Sequence, residues 1–131
     1  MNNDRFKFRG FDAENKVWRY GYYTKLVGGI RIYDAIVENT ENELVSYYIH
    51  EQRSITQCTG LKDKNGVLIF EGDILNYPVS PVGGERGKYL FEASEVKWDY
   101  NRYKIYFSAA SSEVIGNIYE NPELLKEDSD D

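Results

Sequence analysis

The sequence predicts a mainly β protein: a small SH3-like barrel in the C-terminal part, preceded by an N-terminal β-hairpin extension and followed by a short C-terminal helical turn. Three observations carry this expectation. Aromatic residues make up 15% of the chain, with 12 Tyr among them, and aromatic side chains suit the pleated, half-buried surface of a sheet. Apolar and polar residues alternate over short runs, the period of a strand with one covered face. Turn formers interrupt those runs at short intervals, most densely in residues 59–75, TGLKDKNGVLIFEGDIL. After Ile55 the pattern gives five or six short strands, and strands of that spacing close most easily into a small barrel that hides its sheet edges.

Taken in order, residues 5–23 read as a hairpin. Phe6 and Phe8 alternate with Lys7 and Arg9, residues 12–15 supply a polar turn, and Val17, Trp18, Tyr20, Tyr22 and Tyr23 return. Gly28-Gly29 makes a second break. Residues 30–37 then form a strand with Ile30, Ile32 and Ile36 on one face, interrupted by Asp34, and residues 44–49 form another with Val45, Tyr47 and Ile49 on one side. Residues 51–54 carry no strong pattern. They mark the expected boundary between an N-terminal β region, 1–52, and the barrel, 53–125, with 126–131 an acidic tail expected to be disordered.

In the middle motif, Asn65-Gly66 predicts a type I′ hairpin, because both central positions of that turn need positive φ. Residues 67–70 then read as a strand, Glu71-Gly72-Asp73 as a tight corner, and Ile74, Leu75 and Tyr77 as the next strand. Residues 78–88, PVSPVGGERGK, predict a long exposed loop. Val96, Trp98 and Tyr100, followed by Ile105 and Phe107, predict another hairpin, and residues 113–119 a last strand in which Gly116 admits a bulge or a close neighbour. Asn121-Pro122-Glu123 is a helix start: Asn caps free amides, and Pro in the first helical position sacrifices no hydrogen bond. The expected interior is Leu61, Leu68, Ile69, Ile74, Val96, Trp98, Ile105, Val114, Ile115 and Ile118. Gly60, Asn65, Gly66, Gly72, Asp73, Asn121 and Pro122 are thus structural turns and a cap.

Charge narrows the function classes. The net charge is −6, and residues 113–131 alone hold seven acids and one Lys, so the first 112 residues balance. Nucleic-acid affinity needs clustered Lys and Arg, and the nearest approach to a cluster is Arg5, Lys7 and Arg9. The solvated face of an amphipathic strand explains that triplet better. A single cysteine, Cys58, forms no internal disulfide, which favours a reducing compartment. The N-terminus has no apolar signal region and no window reaches the ~20 apolar residues that span a bilayer, so a cytoplasmic location and no membrane partner are expected.

Chemistry is hard to place. His50 is the only histidine, and a surface role for it outweighs a catalytic pairing with Cys58 or with Ser46, Ser54 or Ser111. Cys58 reads as a small core thiol. Asp63-Lys64-Asn65-Gly66 lacks the later ligands of a calcium loop, and residues 83–88 lack the first glycine and the Ser or Thr of a phosphate loop. No cofactor and no metal are expected. Tyrosines are the chemistry in excess, and an amphipathic tyrosine surface suits a partner interface as well as it suits outward strand positions.

Phe6-Lys7-Phe8-Arg9 with Asp12 and Lys16, then TGLKDKNGVLIFEGDIL, then EVIGNIYENPELL, resemble the YopX family of bacteriophage and prophage proteins. The resemblance implies a mainly β protein with a C-terminal SH3-type barrel, encoded by a phage or prophage and acting in the bacterial host cell. It carries over no catalytic residue. The expected function is a non-enzymatic protein-binding or assembly module, with homo-oligomers among its expected assemblies. The alternative is a nucleic-acid-binding small barrel using Arg5, Lys7, Arg9 and Arg19 aided by Tyr20 and Tyr22, whereas a partner face would draw on Tyr22, Tyr23, Tyr47, Tyr48, Tyr89, Tyr100 and Tyr106. Arg5, Lys7, Arg9, Tyr20 and Tyr22 are the candidate interaction face.

Overall fold

The computed structural model describes residues 4–81, 89–99, 102–103 and 109–125. Eleven strands occur among them: β1 (Phe8–Asp12), β2 (Val17–Gly28), β3 (Arg31–Asn39), β4 (Leu44–Tyr48), β5 (Thr56–Lys62), β6 (Leu68–Phe70), β7 (Asp73–Pro81), β8 (Tyr89–Glu95), β9 (Trp98–Asp99), β10 (Arg102–Tyr103) and β11 (Glu113–Asn117). Short 3₁₀ turns cover Asp4–Phe6, Gln52–Ser54, Ala109–Ser111 and Pro122–Leu125. The fold is mainly β. Contacts divide the chain into two compact units, Met1–Cys58 and Thr59–Asp131. No helix among the described residues is long and apolar enough to cross a membrane.

In the first unit the strand order is β4-β3-β2-β1-β5, all neighbours antiparallel, with only the start of β5 taking part through Phe8↔Gln57 and Arg9↔Thr56. The sheet starts later than its pattern suggests, because Asp4–Phe6 is a 3₁₀ turn and Phe6 is exposed. β2 is twelve residues long and changes partner along its length: Val17 to Gly21 pair with β1, Tyr22 to Gly28 with β3. The change requires glycine. A Cβ on Gly21 would lie 2.1 Å from the Val37 carbonyl oxygen, a collision with backbone that no rotamer relieves. On the covered face Ile36 and Ile49 are buried, and Gly10 leaves the space they fill, since a Cβ there would meet Ile49 Cγ1 at 2.9 Å. Ile30 falls in the β2–β3 turn and is fully exposed, Ile32 is exposed and Ile36 is buried, so the single apolar face expected for residues 30–37 is covered only at one end.

In the second unit, residues 59–62 of β5 lie beside β6, β7 is flanked by β11 and β8, and β9 pairs with β10 through Asp99↔Arg102 and Tyr103↔Trp98. The expected closed SH3-like barrel is not formed among the described residues. Closure needs two neighbours for every strand, and among the described residues β8 and β11 have one each. β7 also extends through Pro78 and Pro81, shortening the expected 78–88 loop; residues 82–88 lie outside the described residues. Proline is tolerated there because β7 beyond Asn76 pairs only with β8 among the described residues and its register slips between Pro78 and Ser80.

Ile69, Leu75, Val96 and Ala109 form the buried apolar cluster, with Leu61 and Val114 packed against it. Leu75 was not expected inside. It is buried beside an equally buried Ile74, because a central strand covered on both faces does not alternate. Ile115 and Ile118 are exposed instead, and the β11 register slips between Val114 and Gly116, which leaves Ile115 as the unpaired residue of a bulge. The Trp98 side chain and Ile105 lie outside the described residues.

The middle motif turns differently from a type I′ hairpin. Gly66 has φ 81° and Asn65 does not take positive φ; Gly66 N–H donates to the Asp63 carbonyl at 3.0 Å, and Asp63 N–H to the Val67 carbonyl at 2.9 Å. This is a three-residue loop with one left-handed glycine. Asp63 sets it, its Oδ1 accepting the amides of Asn65 (2.8 Å) and Val67 (3.0 Å). At the next corner Gly72 has φ 88° and the buried Asp73 carboxylate accepts the Phe70 amide at 2.7 Å. Gly60 has φ 84°. Asn121 turns its side chain back, Oδ1 accepting the Asn117 amide at 3.2 Å, and its carbonyl accepts the Leu124 amide at 3.0 Å from the Pro122–Leu125 turn.

Candidate interaction surface

The partner change at Gly21 leaves a recess at the start of β1. The 3₁₀ turn Asp4–Phe6 leads into it, fixed by the Lys7 amide donating to the Asp4 carbonyl at 2.9 Å, and the Lys7 carbonyl accepts the Cys58 amide at 2.8 Å. The result is a cleft of about 420 Å³ lined by Asp4, Lys7, Tyr20, Gly21, Tyr22, Glu38 and Asn39. Tyr20 and Tyr22 are 44% and 58% exposed. Three of the five residues expected on an interaction face, Lys7, Tyr20 and Tyr22, therefore share one opening. Arg9 does not join them: it is buried, its Nε donates to Thr56 Oγ1 at 3.2 Å, and its guanidinium lies 4.7 Å from the Trp18 ring centroid. The Arg5 side chain lies outside the described residues.

Arg19 is engaged as well. Arg19 donates from Nε to Asp12 Oδ2 at 3.1 Å, places Nη2 3.0 Å from the same oxygen, and stacks 4.0 Å over Tyr47. Asn15 donates through its side chain and backbone to Asp12 as well, and these bonds, opposed by burial and aided by Arg19, hold the Asp12 carboxyl below the ordinary carboxylate range.

A second cleft, about 250 Å³, is lined by Phe8, Tyr23, Lys25, Asp34, Gln52 and Ile55. Asp34 Oδ1 accepts the Tyr23 hydroxyl at 2.5 Å and Lys25 Nζ at 2.9 Å, and Oδ2 accepts Gln52 Nε2. Tyr23, foremost, then Lys25 hold the carboxyl below its usual range against the opposing effect of burial. Lys25 is raised in turn, chiefly by Asp34. An aspartate so held stays ionised, with both oxygens occupied, which suits a fixed anion and not a proton carrier. His50 is exposed and Cys58 is buried. Among the described residues no three His, Cys, Asp or Glu side chains converge as metal ligands.

Sequence reasoning noted Asp34 as an interruption but missed its partners and missed Asp4, Glu38 and Asn39 in the first cleft. One signal was available: a two-residue turn at Gly29-Ile30 places Lys25 directly across from Asp34.

A family model described as "YopX protein" matches residues 7–126, from the lip of the first cleft past the last 3₁₀ turn. The chain belongs to the YopX family. Among solved structures, the crystal structure of protein EF1440 from Enterococcus faecalis is similar to this YopX-family chain, with a TM-score of 0.51 and 29% identity, covering 92% of this chain and 97% of that one. No curated protein matches the sequence.

Proposed function

We propose that this YopX-family chain is a non-enzymatic protein-binding or assembly module, encoded by a phage or prophage and acting in the bacterial cytoplasm. The observation that carries the proposal is the composition of the first cleft: two exposed tyrosines around one amine, Lys7, and two carboxylates, Asp4 and Glu38. Tyrosine offers large contact area at low entropic cost with a polar tip. A polypeptide that carries both charges and an apolar side chain fits such a lining. A phosphate backbone would meet two carboxylates for one amine in this cleft, and Arg9, Arg19 and Lys25 are engaged by Thr56, Asp12 and Asp34, which disfavours the clustered cations that counterion release needs. The end of the β2–β3 hairpin adds a second sticky feature, with Val27, Ile30 and Ile32 all exposed.

The test is quantitative capture from host lysate by the wild type and by a Tyr20→Ser/Tyr22→Ser double variant whose circular dichroism matches it. A protein retained by the wild type is expected to fall roughly tenfold or more in the variant, as loss of interface tyrosines does. Identical capture by both forms would overturn the proposal. Salt-sensitive binding to DNA or RNA that disappears in Lys7→Ala would replace it with the nucleic-acid function.

A further inference from the structure

Among the described residues β4 is the outermost strand of the first unit's sheet, and the edge it turns away from β3 can be identified group by group. Ile49 N–H donates to the Asp34 carbonyl and Thr40 N–H to the Glu43 carbonyl, both 2.9 Å. With the register Ile36↔Tyr47 and Glu38↔Val45, these bonds fix the parity of the ladder: Val45, Tyr47 and Ile49 turn their amides and carbonyls toward β3. Leu44, Ser46 and Tyr48 turn theirs outward. The strand reads Leu-Val-Ser-Tyr-Tyr, with no charge and no proline, the devices that keep most sheet edges from pairing. By contrast β8, an outer strand of the second unit's sheet, carries Glu92 and Glu95.

We propose that β4 pairs antiparallel with β4 of a second copy of this chain, about a twofold axis through Ser46. The reason for choosing a second copy is that this register leaves nothing over. Ser46 exchanges both backbone bonds with Ser46 of the partner subunit, and Leu44 and Tyr48 do so with Tyr48 and Leu44 of the partner subunit. Three outward donors and three outward acceptors on each chain are all matched. The side chains agree with the backbone. Leu44 and Tyr48, 66% and 51% exposed, would cover one another on one face, and Val45 would face Tyr47 of the partner subunit on the other, aliphatic against aromatic in both cases. Glu43 would fall opposite Ile49 of the partner subunit, so no like charges meet along the ladder. An isologous contact of this kind closes as a dimer and does not propagate. Five residues a side make a small interface, so the dimer is expected in the micromolar to millimolar range.

This pairing uses none of the residues that line the tyrosine cleft, and its test is separate from partner capture. Ser46 is exposed and its amide faces away from β3, so substitutions there leave the native ladder intact. Sedimentation of the full chain over a concentration series is expected to show monomer giving way to dimer. Ser46→Lys alone and Ser46→Asp alone should each weaken association roughly tenfold or more, because like charges would face each other across the axis. An equimolar mixture of the two should restore it. Amide exchange gives the second readout: protection of Leu44, Ser46 and Tyr48 should rise with protein concentration while that of Val45 and Tyr47 stays constant. A wild type that remains monomeric throughout, a Ser46→Lys variant that associates unchanged, or exchange at Leu44, Ser46 and Tyr48 that ignores concentration would each overturn the proposal.

Discussion

Asp34 in the first unit and Asp63 in the second are both buried aspartates, 7% and 5% exposed, and both are held below the ordinary carboxylate range, yet by different materials. Asp34 is surrounded by side chains: the Tyr23 hydroxyl first, then Lys25 and Gln52. At Asp63, burial pushes the carboxyl up, and the backbone amides of Val114, Val67 and Asn65 together more than offset it. The difference follows the two units. In the first, much of the buried set is polar, with Arg9, Asp12, Asp34 and Ser54 beside Ile36 and Ile49. The second also buries Thr59, Asp63, Asp73, Ser112 and Asn117, but there Ile69, Leu75, Val96 and Ala109 join into one apolar cluster, and Asp63 fastens the turn before β6 to the start of β11. A side-chain network can be altered one donor at a time, whereas an anion held by backbone amides can be tested only by changing the anion itself.

The largest effect is expected where the second unit is apolar. Leu75→Ala removes a fully buried side chain from the middle of the cluster and should cost about 2–5 kcal/mol in urea unfolding. A loss below about 1 kcal/mol would mean that this unit does not rest on that cluster, and the contrast between the two units would fail.

Asp63→Asn comes next. The asparagine amide oxygen can still accept from Asn65 and Val67, but its amino group would face the Val114 N–H, donor against donor. A cost of about 2–3 kcal/mol at neutral pH is expected. The pH dependence has a definite sign. A carboxyl whose folded pKa lies below its unfolded value of about 3.9 contributes fully above that unfolded value and loses the contribution as pH falls through the folded one. The stability curves of the wild type and of the Asp63→Asn variant should therefore differ most near neutrality and converge in acid. Parallel curves down to strong acid would show that Asp63 is not held as an anion.

Local chemistry was legible in the sequence and convergence was not. Hairpins β1–β2 and β3–β4 and the corners at Gly66 and Gly72 are written in neighbouring residues, and the polar–apolar alternation marked the strands around them. Asn65 misled because the side chain two positions earlier, Asp63, takes the turn's amides and relieves Asn65 of any left-handed conformation. Leu75 misled because a strand covered on both faces loses its period. The barrel was inferred from strand spacing, which says nothing of whether the outer strands β8 and β11 find second neighbours. The tyrosine cleft was half legible: Lys7, Tyr20 and Tyr22 were visible as a face, but Asp4, Glu38 and Asn39 reach it from separate segments, and Arg9 leaves it for Trp18 and Thr56.

The smallest effect sharpens the comparison most. Lys25 is 60% exposed at its side chain, where solvent screens an ion pair and tethering a long side chain offsets much of the gain. Lys25→Met should leave the urea midpoint at neutral pH unchanged within error, because Asp34 keeps Tyr23 and Gln52. Tyr23→Phe removes the foremost of its donors from a half-buried site and should cost about 1 kcal/mol. Whatever stability Lys25 does supply is complete below its unfolded pKa of about 10.4 and is lost as pH rises through its raised folded value, so any difference between the Lys25→Met variant and the wild type should vanish in strong alkali. If Lys25→Met instead costs as much as Tyr23→Phe at neutral pH, the Asp34 site depends on its ion pair, and the distinction between an anion held by neutral side chains with an exposed cation and one held chiefly by backbone amides would have to be redrawn.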